Sequence, residues 1–239
     1  MTRYLILLTG LLALPSLAAN VVIFRGAGTC DGCPEAVGKL LQQQHHRVSY
    51  VDEHTLSAQR LRGATLYVQP GGSDDIDETL QALQPAQVQA LRRFVANGGH
   101  YLGICAGAYL AARYSDRAAA TPAFGLLAID ELHAEVADPA PSLLPMRWGK
   151  QVRRVYNQSG PHMGTTPPAG ASVLARYQAS GRIAALGSRY GKGRLLLIGP
   201  HFEADADWYR SDGLTLQYGL NTDLFYRALA WLPLPAAVR

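Results

Sequence analysis

Short hydrophobic runs alternate with amphipathic segments over the first half of the chain. The runs that predict buried strands are Asn20–Phe24, Val48–Val51, Ala64–Val68 and His100–Ile104. The segments that follow them predict helices over Pro34–Gln44, Asp74–Leu83, Pro85–Asn97 and Gly107–Arg113. Regular alternation of strand and helix predicts a parallel sheet covered by helices.

The pattern changes after residue 120, where shorter β-like runs lie between turns rich in proline and glycine. These runs are Ala128–Val136, Met146–Trp148, Gln151–Tyr156, Ser172–Gln178 and Arg182–Arg189, and they predict an antiparallel region. A continuous apolar strand, Leu195–Ile198, restores the parallel pattern, and Leu216–Trp231 predicts a closing helix. We therefore predict an α/β fold, a doubly wound, mostly parallel sheet with an inserted antiparallel β region.

The N-terminus has the pattern of a secretory signal. Arg3 precedes an apolar run over residues 4–14, Pro15 ends the run, and small residues follow. This run is about half of the roughly 20 residues that a membrane-spanning helix needs, which favours cleavage over anchoring. We expect a signal peptide over residues 1–19, one domain over residues 20–239, and export without a membrane span, to the periplasm in a two-membrane bacterium.

Composition excludes several classes of protein. A chain of 239 residues with 48% hydrophobic residues is neither disordered nor fibrous. The net charge of +4 comes from 22 basic and 18 acidic residues without a run of five like charges, so no nucleic-acid partner is indicated. The acidic residues after residue 73 are too closely spaced for an EF-hand, and we expect neither a metal nor a cofactor.

Cys105 lies where a buried strand must turn into a helix, in the sequence Gly-Ile-Cys-Ala-Gly over residues 103–107. Small neighbours at such a turn are typical of a nucleophile elbow, in which the backbone is strained and the next N–H groups face a developing oxyanion. The start of the following helix also favours a thiolate. The structural alternative is that Cys105 is a small buried residue packed into a tight joint.

Two further segments carry candidate catalytic groups. His201 follows the last apolar strand, at the carboxyl end where open α/β sheets bind ligands, and Glu203 can orient its imidazole. Gly71 and Gly72 follow the third strand, and their amides with that of Ala106 are candidates for an oxyanion hole.

Cys30 and Cys33 form a C-x-x-C pair at the start of the first helix. A thioredoxin-like redox pair, half of a zinc site and a local disulfide are the three alternatives. An exported protein favours the disulfide. That pairing leaves Cys105 as the single free thiol.

The combination of the cysteine turn with His201-Phe202-Glu203 resembles the class I glutamine amidotransferase superfamily. A closer resemblance is to the biotin-protein ligase N-terminal domain family. Its matching segments are residues 24–29, 69–74, 97–109, 155–157, 191–194 and 199–203. The departure is Phe202, where amidotransferases commonly carry proline. Nothing in the chain resembles the biotin-adenylating catalytic domain, so no ligase activity is implied.

The resemblance implies a flavodoxin-like sheet and a role for each matching residue. Cys105 would be the nucleophile, His201 the general base and then acid, and Glu203 the residue that orients it. Gly72 and Ala106 would donate to the oxyanion.

Tyr156 and Asn157 match a Tyr-Asn motif of the family, and we hold them, together with Gln158 on the same turn, as candidate substrate contacts. Otherwise they are turn residues.

We expect an exported cysteine hydrolase that acts on an amide C–N bond of a small-molecule or peptide substrate. Free-standing hydrolysis fits such a chain better than delivery of ammonia to a synthetase. The alternatives are a non-catalytic binding protein that uses the same pocket, and thiol redox work by Cys30 and Cys33. The sequence identifies no protein partner.

Overall fold

The structure is a computed structural model that describes residues 18–72 and 76–235. The strands of the described chain are β1 Asn20–Phe24, β2 Arg47–Val51, β3 Leu66–Gln69, β4 His100–Ile104, β5 Tyr114–Asp116, β6 Thr121–Pro122, β7 His133–Ala134, β8 Ser142–Trp148, β9 Gln151–Asn157, β10 Pro161–His162, β11 Ser172–Tyr177, β12 Ile183–Tyr190 and β13 Gly193–Ile198. The helices are α1 Cys33–Gln43, α2 Asp77–Ala82, α3 Pro85–Ala96, α4 Ala106–Leu110, α5 Ala206–Ser211 and α6 Thr222–Leu229.

Nine of these strands form one sheet in the order β2-β1-β3-β4-β13-β12-β11-β8-β9. Neighbours are parallel from β2 to β13. Neighbours are antiparallel from β13 to β9. The strands β8, β9, β11 and β12 of the inserted region therefore extend the parallel sheet, while β5 with β6 and β7 with β10 form two small sheets of their own. The predicted fold class is confirmed.

Alternate residues of the parallel strands face two separate hydrophobic layers, because successive side chains of a strand point to opposite faces. Ile23 lies in the layer covered by α1 and α6. Phe24 lies in the layer covered by α3 and α4. Helices on both faces bury β3 and β4 completely, which explains why these strands form continuous apolar runs in the sequence.

Two predicted elements differ clearly from the structure, and one helix was not predicted. The final helix covers only Thr222–Leu229, because Gly219 has φ +72 and the chain turns before Asn221. In the predicted run Ala128–Val136, only His133–Ala134 is a strand, and it pairs with β10. The helix α5 was not predicted, although Asp205 caps it by accepting hydrogen bonds from Asp207 N at 3.0 Å and Trp208 N at 3.3 Å.

The predicted signal peptide falls almost entirely on residues 1–17, outside the described residues. The first residues of the described chain already belong to the sheet, since the carbonyl of Ala19 accepts a hydrogen bond from Arg47 N at 2.9 Å. Within residues 18–72 and 76–235, no helix has the length and apolar character needed to cross a membrane.

Phe225 tests the layer beneath α6. Its side chain is 1% exposed, so Phe225→Ala should lower the free energy of unfolding by about 3–5 kcal/mol through lost burial and a residual cavity. Val152, which is 47% exposed, supplies the control. Val152→Thr should change the free energy by no more than about 0.5 kcal/mol. Urea denaturation measures both, and equal effects would contradict the assignment of the core.

Candidate active site

Cys105 joins β4 to α4 in a backbone conformation that residues other than glycine rarely adopt, with φ 49 and ψ −109. Its N–H donates to the carbonyl of Ile198 at 2.9 Å, and its carbonyl accepts from Ala108 N at 2.8 Å. Hydrogen bonds on both sides hold the strained residue in place. This is the conformation expected of a nucleophile elbow.

The glycines around Cys105 are required by close backbone approach. A Cβ atom on Gly103 would overlap the carbonyl of Gly107. A Cβ atom on Gly107 would overlap the carbonyl of Gln69, at the end of β3. The tight turn therefore brings the end of β3 against the start of α4, and Gly71 and Gly72 follow directly.

His201 and Glu203 form a buried pair immediately after β13. His201 Nδ1 lies 2.8 Å from Glu203 Oε1, and the residues are 4% and 2% exposed. Glu203 Oε2 has no hydrogen-bond partner among the described residues. The contact places the carboxylate on one imidazole nitrogen, which fixes the ring and supports a positive charge on it.

Phe202, the departure from the amidotransferase pattern, anchors this segment. Its side chain is fully buried and meets the Trp148 ring edge to face at 6.2 Å. Residues 202–203 form a turn, and burial of Phe202 fixes this turn, which brings Glu203 back against His201.

The charge on His201 is set by its neighbours. Burial alone lowers the pKa of His201, but the charges of Glu203 and Cys105 and hydrogen bonds to both outweigh burial and raise that pKa to about 10. The imidazole is therefore protonated at neutral pH and lies within reach of Cys105. The structure brings together the three residues predicted as a triad.

Aromatic side chains enclose the imidazole. The Tyr156 ring lies 5.7 Å from the His201 ring, and the Trp208 ring lies 5.4 Å from it. Tyr156 OH donates to Asp212 Oδ2 at 2.6 Å. Burial, followed by this hydrogen bond, raises the pKa of Tyr156 well above its usual value, so its hydroxyl remains a donor. The inserted region and α5 thus supply part of the site.

The thiol is covered. Cys105 is 5% exposed, and its Sγ lies 3.5 Å from the carbonyl oxygen of Gln158. Asn157, predicted as a substrate contact together with Tyr156, is 0% exposed, and neither atom of its amide has a hydrogen-bond partner among the described residues. Of the two, Tyr156 therefore lies against His201, while Asn157 is enclosed within the protein.

The predicted oxyanion segment lies beside the elbow. A Cβ atom on Gly72 would come within 2.8 Å of the Cβ of Ala106, so these two residues are neighbours. Cys30 N donates to the carbonyl of Gly71 at 3.2 Å. Cys30 and Cys33 are a close pair, with Cα atoms 5.4 Å apart, a separation typical of disulfides.

Trp208 and Asp212 were not singled out from the sequence as site residues, whereas Gln158 was held as a possible substrate contact beside Tyr156 and Asn157. The capping pattern at Asp205 could have revealed the helix that carries Trp208. No local pattern could have assigned Asp212 to the site, because it follows α5 and meets Tyr156 only in the folded chain.

Glu203→Gln tests the electrostatic coupling. Loss of the carboxylate charge should lower the pKa of His201 from about 10 toward or below the ordinary 6.5. An NMR titration of histidine Cε1 resonances measures this, with the His201 signal assigned by its loss in His201→Gln. An unchanged pKa would contradict the pairing.

The same coupling predicts a pH dependence of stability. A folded-state pKa raised above 6.5 stabilises the fold fully below pH 6.5, and this contribution is lost as pH rises toward 10. The free energy of unfolding should therefore fall more steeply between these values in the unmodified protein than in Glu203→Gln. Urea denaturation at several pH values checks this, and parallel curves would contradict it.

One protein family matches the N-terminal part of the chain. Residues 19–123 match the family described as "Biotin-protein ligase, N terminal", a range that contains Cys105 but not His201 or Glu203. No curated protein matches the chain.

Several solved structures are similar to it. PurLQS from Thermotoga maritima has a TM-score of 0.60 at 15% identity, over 90% of this chain and 99% of that one. A glutamine amidotransferase has a TM-score of 0.58 at 16% identity, over 88% of this chain and 97% of that one. Another glutamine amidotransferase, from Thermotoga maritima, has a TM-score of 0.55 at 16% identity, over 82% of each chain. The resemblance predicted from the sequence is confirmed: residues 19–123 match the biotin-protein ligase N-terminal family, and the chain is class I glutamine amidotransferase-like in fold.

Proposed function

We propose that the protein is a cysteine-dependent hydrolase that cleaves an amide C–N bond of a small-molecule or peptide substrate. The observation that carries the proposal is the convergence of three groups: a strained cysteine at the carboxyl end of a parallel strand, an imidazole within its reach, and a carboxylate 2.8 Å from that imidazole. Cys105 as the nucleophile, His201 as the acid and base, and Glu203 as the orienting residue form a catalytic triad.

In the proposed reaction the Cys105 thiolate attacks the carbonyl carbon of the amide. The N–H groups of Gly72 and Ala106 donate to the oxyanion that forms. The imidazolium of His201 then gives its proton to the leaving amine, the C–N bond breaks, and a thioester remains on Cys105. The neutral imidazole next takes a proton from water, whose oxygen attacks the thioester and releases the acid. Glu203 stabilises the imidazolium both before it gives up its proton and after the imidazole takes a proton from water.

A second candidate function is a non-catalytic binding protein. Its support is the covering of the sulfur, because Cys105 is 5% exposed and its Sγ lies 3.5 Å from the carbonyl oxygen of Gln158. In the hydrolase, the segment around Gln158 would have to move aside for a substrate to reach Cys105. A non-catalytic binding protein needs no such movement, because no substrate carbonyl has to reach Cys105.

We also propose that the protein is exported, supported by the signal pattern over residues 1–19, and that Cys30 and Cys33 form a disulfide, supported by their close pairing. The two proposals are consistent with each other, because exported proteins reach oxidising compartments, where disulfides persist.

Thiol labelling tests the triad. Iodoacetamide should label Cys105 at least about tenfold more slowly in His201→Ala than in the unmodified protein, because the thiolate loses its paired imidazolium. His54→Ala is the matched control, since the His54 side chain is 81% exposed, and it should leave the rate unchanged. Equal rates in His201→Ala and the unmodified protein would count against the triad.

Turnover separates the two candidate functions. Release of ammonia or amine is measured on glutamine and a panel of peptide amides, with Cys105→Ala as the inactive reference. Product release that Cys105→Ala abolishes supports the hydrolase. A ligand that binds equally to both proteins, without product from either, supports the binding protein instead.

A further inference from the structure

The C-x-x-C pair and the candidate base meet at Gly71. A Cβ atom built on Gly71 would lie 2.6 Å from His201 Cε1, 3.2 Å from Cys33 Sγ and 3.4 Å from Cys30 Sγ. One side of the Gly71 backbone is thus shared by an imidazole carbon and two sulfur atoms. Glycine at this position lets the sulfurs approach the ring.

The contact is reinforced by the backbone. Cys30 N donates to the carbonyl of Gly71 at 3.2 Å, and Thr29 pairs with Gly72 in an antiparallel bridge. The segment that carries Cys30 is therefore joined to the residues that lie beside Ala106. A displacement of this segment would reach both His201 and the proposed oxyanion donors.

The surroundings confine the Cys33 side of the pair, whereas Cys30 is partly exposed. Cys33 is 0% exposed, and His201 is 4% exposed. Two thiols need more space than two bonded sulfur atoms, because a covalent bond is much shorter than a van der Waals contact. When the bond between Cys30 and Cys33 breaks, either Cys33 Sγ presses on Gly71 and the imidazole, or Cys30 moves and its N–H pulls on the Gly71 carbonyl.

We propose that the Cys30–Cys33 pair is a positioning element for His201, and that its redox state controls the reactivity of Cys105. The bonded pair holds Gly71 and the imidazole in the arrangement that pairs with Cys105 and Glu203; the reduced pair does not. This inference rests on the proposed function, in which His201 activates Cys105.

The reductant is a dithiol. One thiolate of the dithiol attacks one sulfur of the pair, the bond between the cysteines breaks, and a mixed disulfide forms. The second thiol of the reductant then closes its own disulfide. Two electrons and two protons pass to Cys30 and Cys33, which become thiols while the dithiol is oxidised.

The test compares oxidised protein with protein reduced by dithiothreitol and freed of the reductant. Iodoacetamide labelling is read by mass spectrometry, since trypsin cleaves after Arg93 and Arg113 and separates the Cys105 peptide from the peptide with Cys30 and Cys33. We expect reduction to slow labelling of Cys105 about tenfold, in line with the cost of misplacing a catalytic group. We also expect the His201 Cε1 resonance to shift, while that of the exposed His54 does not.

Two variants complete the experiment. Cys30→Ser combined with Cys33→Ser should label slowly before dithiothreitol treatment and show no further change after it. A further change would mean that the reductant acts elsewhere and would overturn the proposal. Gly71→Ala should slow labelling in both redox states, because its methyl group occupies the space beside the ring. Circular dichroism verifies that each variant is folded.

The outcomes separate the two proposals. If His201→Ala slows labelling but reduction changes neither the rate nor the His201 resonance, redox positioning is wrong and the triad stands. If His201→Ala leaves labelling unchanged, the triad is wrong. The Cε1 resonance then still reports whether the sulfurs position the ring.

Discussion

The close approach of β3 and α4 at the carboxyl end of the parallel strands is the constraint on which the site depends. Gly107 packs against the Gln69 carbonyl so tightly that no side chain fits between them. This packing forces the chain at Cys105 into a strained conformation, which the hydrogen bond from its N–H to the carbonyl of Ile198 stabilises. The strand that precedes His201 thus also supports the residue that His201 faces.

Burial makes the charges of the site interdependent. A buried imidazolium or carboxylate alone would be strongly destabilised. His201 and Glu203 are both nearly inaccessible, and each supplies the opposite charge that the other needs. The cost of desolvation is therefore offset only while the two groups remain in contact. Phe202 lies between these two residues in sequence, and its burial fixes the turn that keeps them in contact.

The antiparallel extension is part of the site and not a separate addition. His201 N donates to the carbonyl of Tyr156 at 2.9 Å, which joins the end of β9 to the segment after β13. Gln158 follows β9 directly, and its carbonyl oxygen lies 3.5 Å from Cys105 Sγ. The antiparallel extension therefore covers the nucleophile and forms part of its surroundings.

The sequence by itself determined the elements whose signals are local. The strands β1 and β4, the turn at Cys105 and the placement of His201 after β13 could be predicted, because apolar runs and turn glycines act over a few residues. The helix α5 was missed, since a single cap at Asp205 decides where it begins. Only the tertiary structure decided which distant groups meet. Sequence spacing carries no information on the packing of Gly71 between His201 and the two sulfurs, because that contact follows from how the whole sheet and its connections pack.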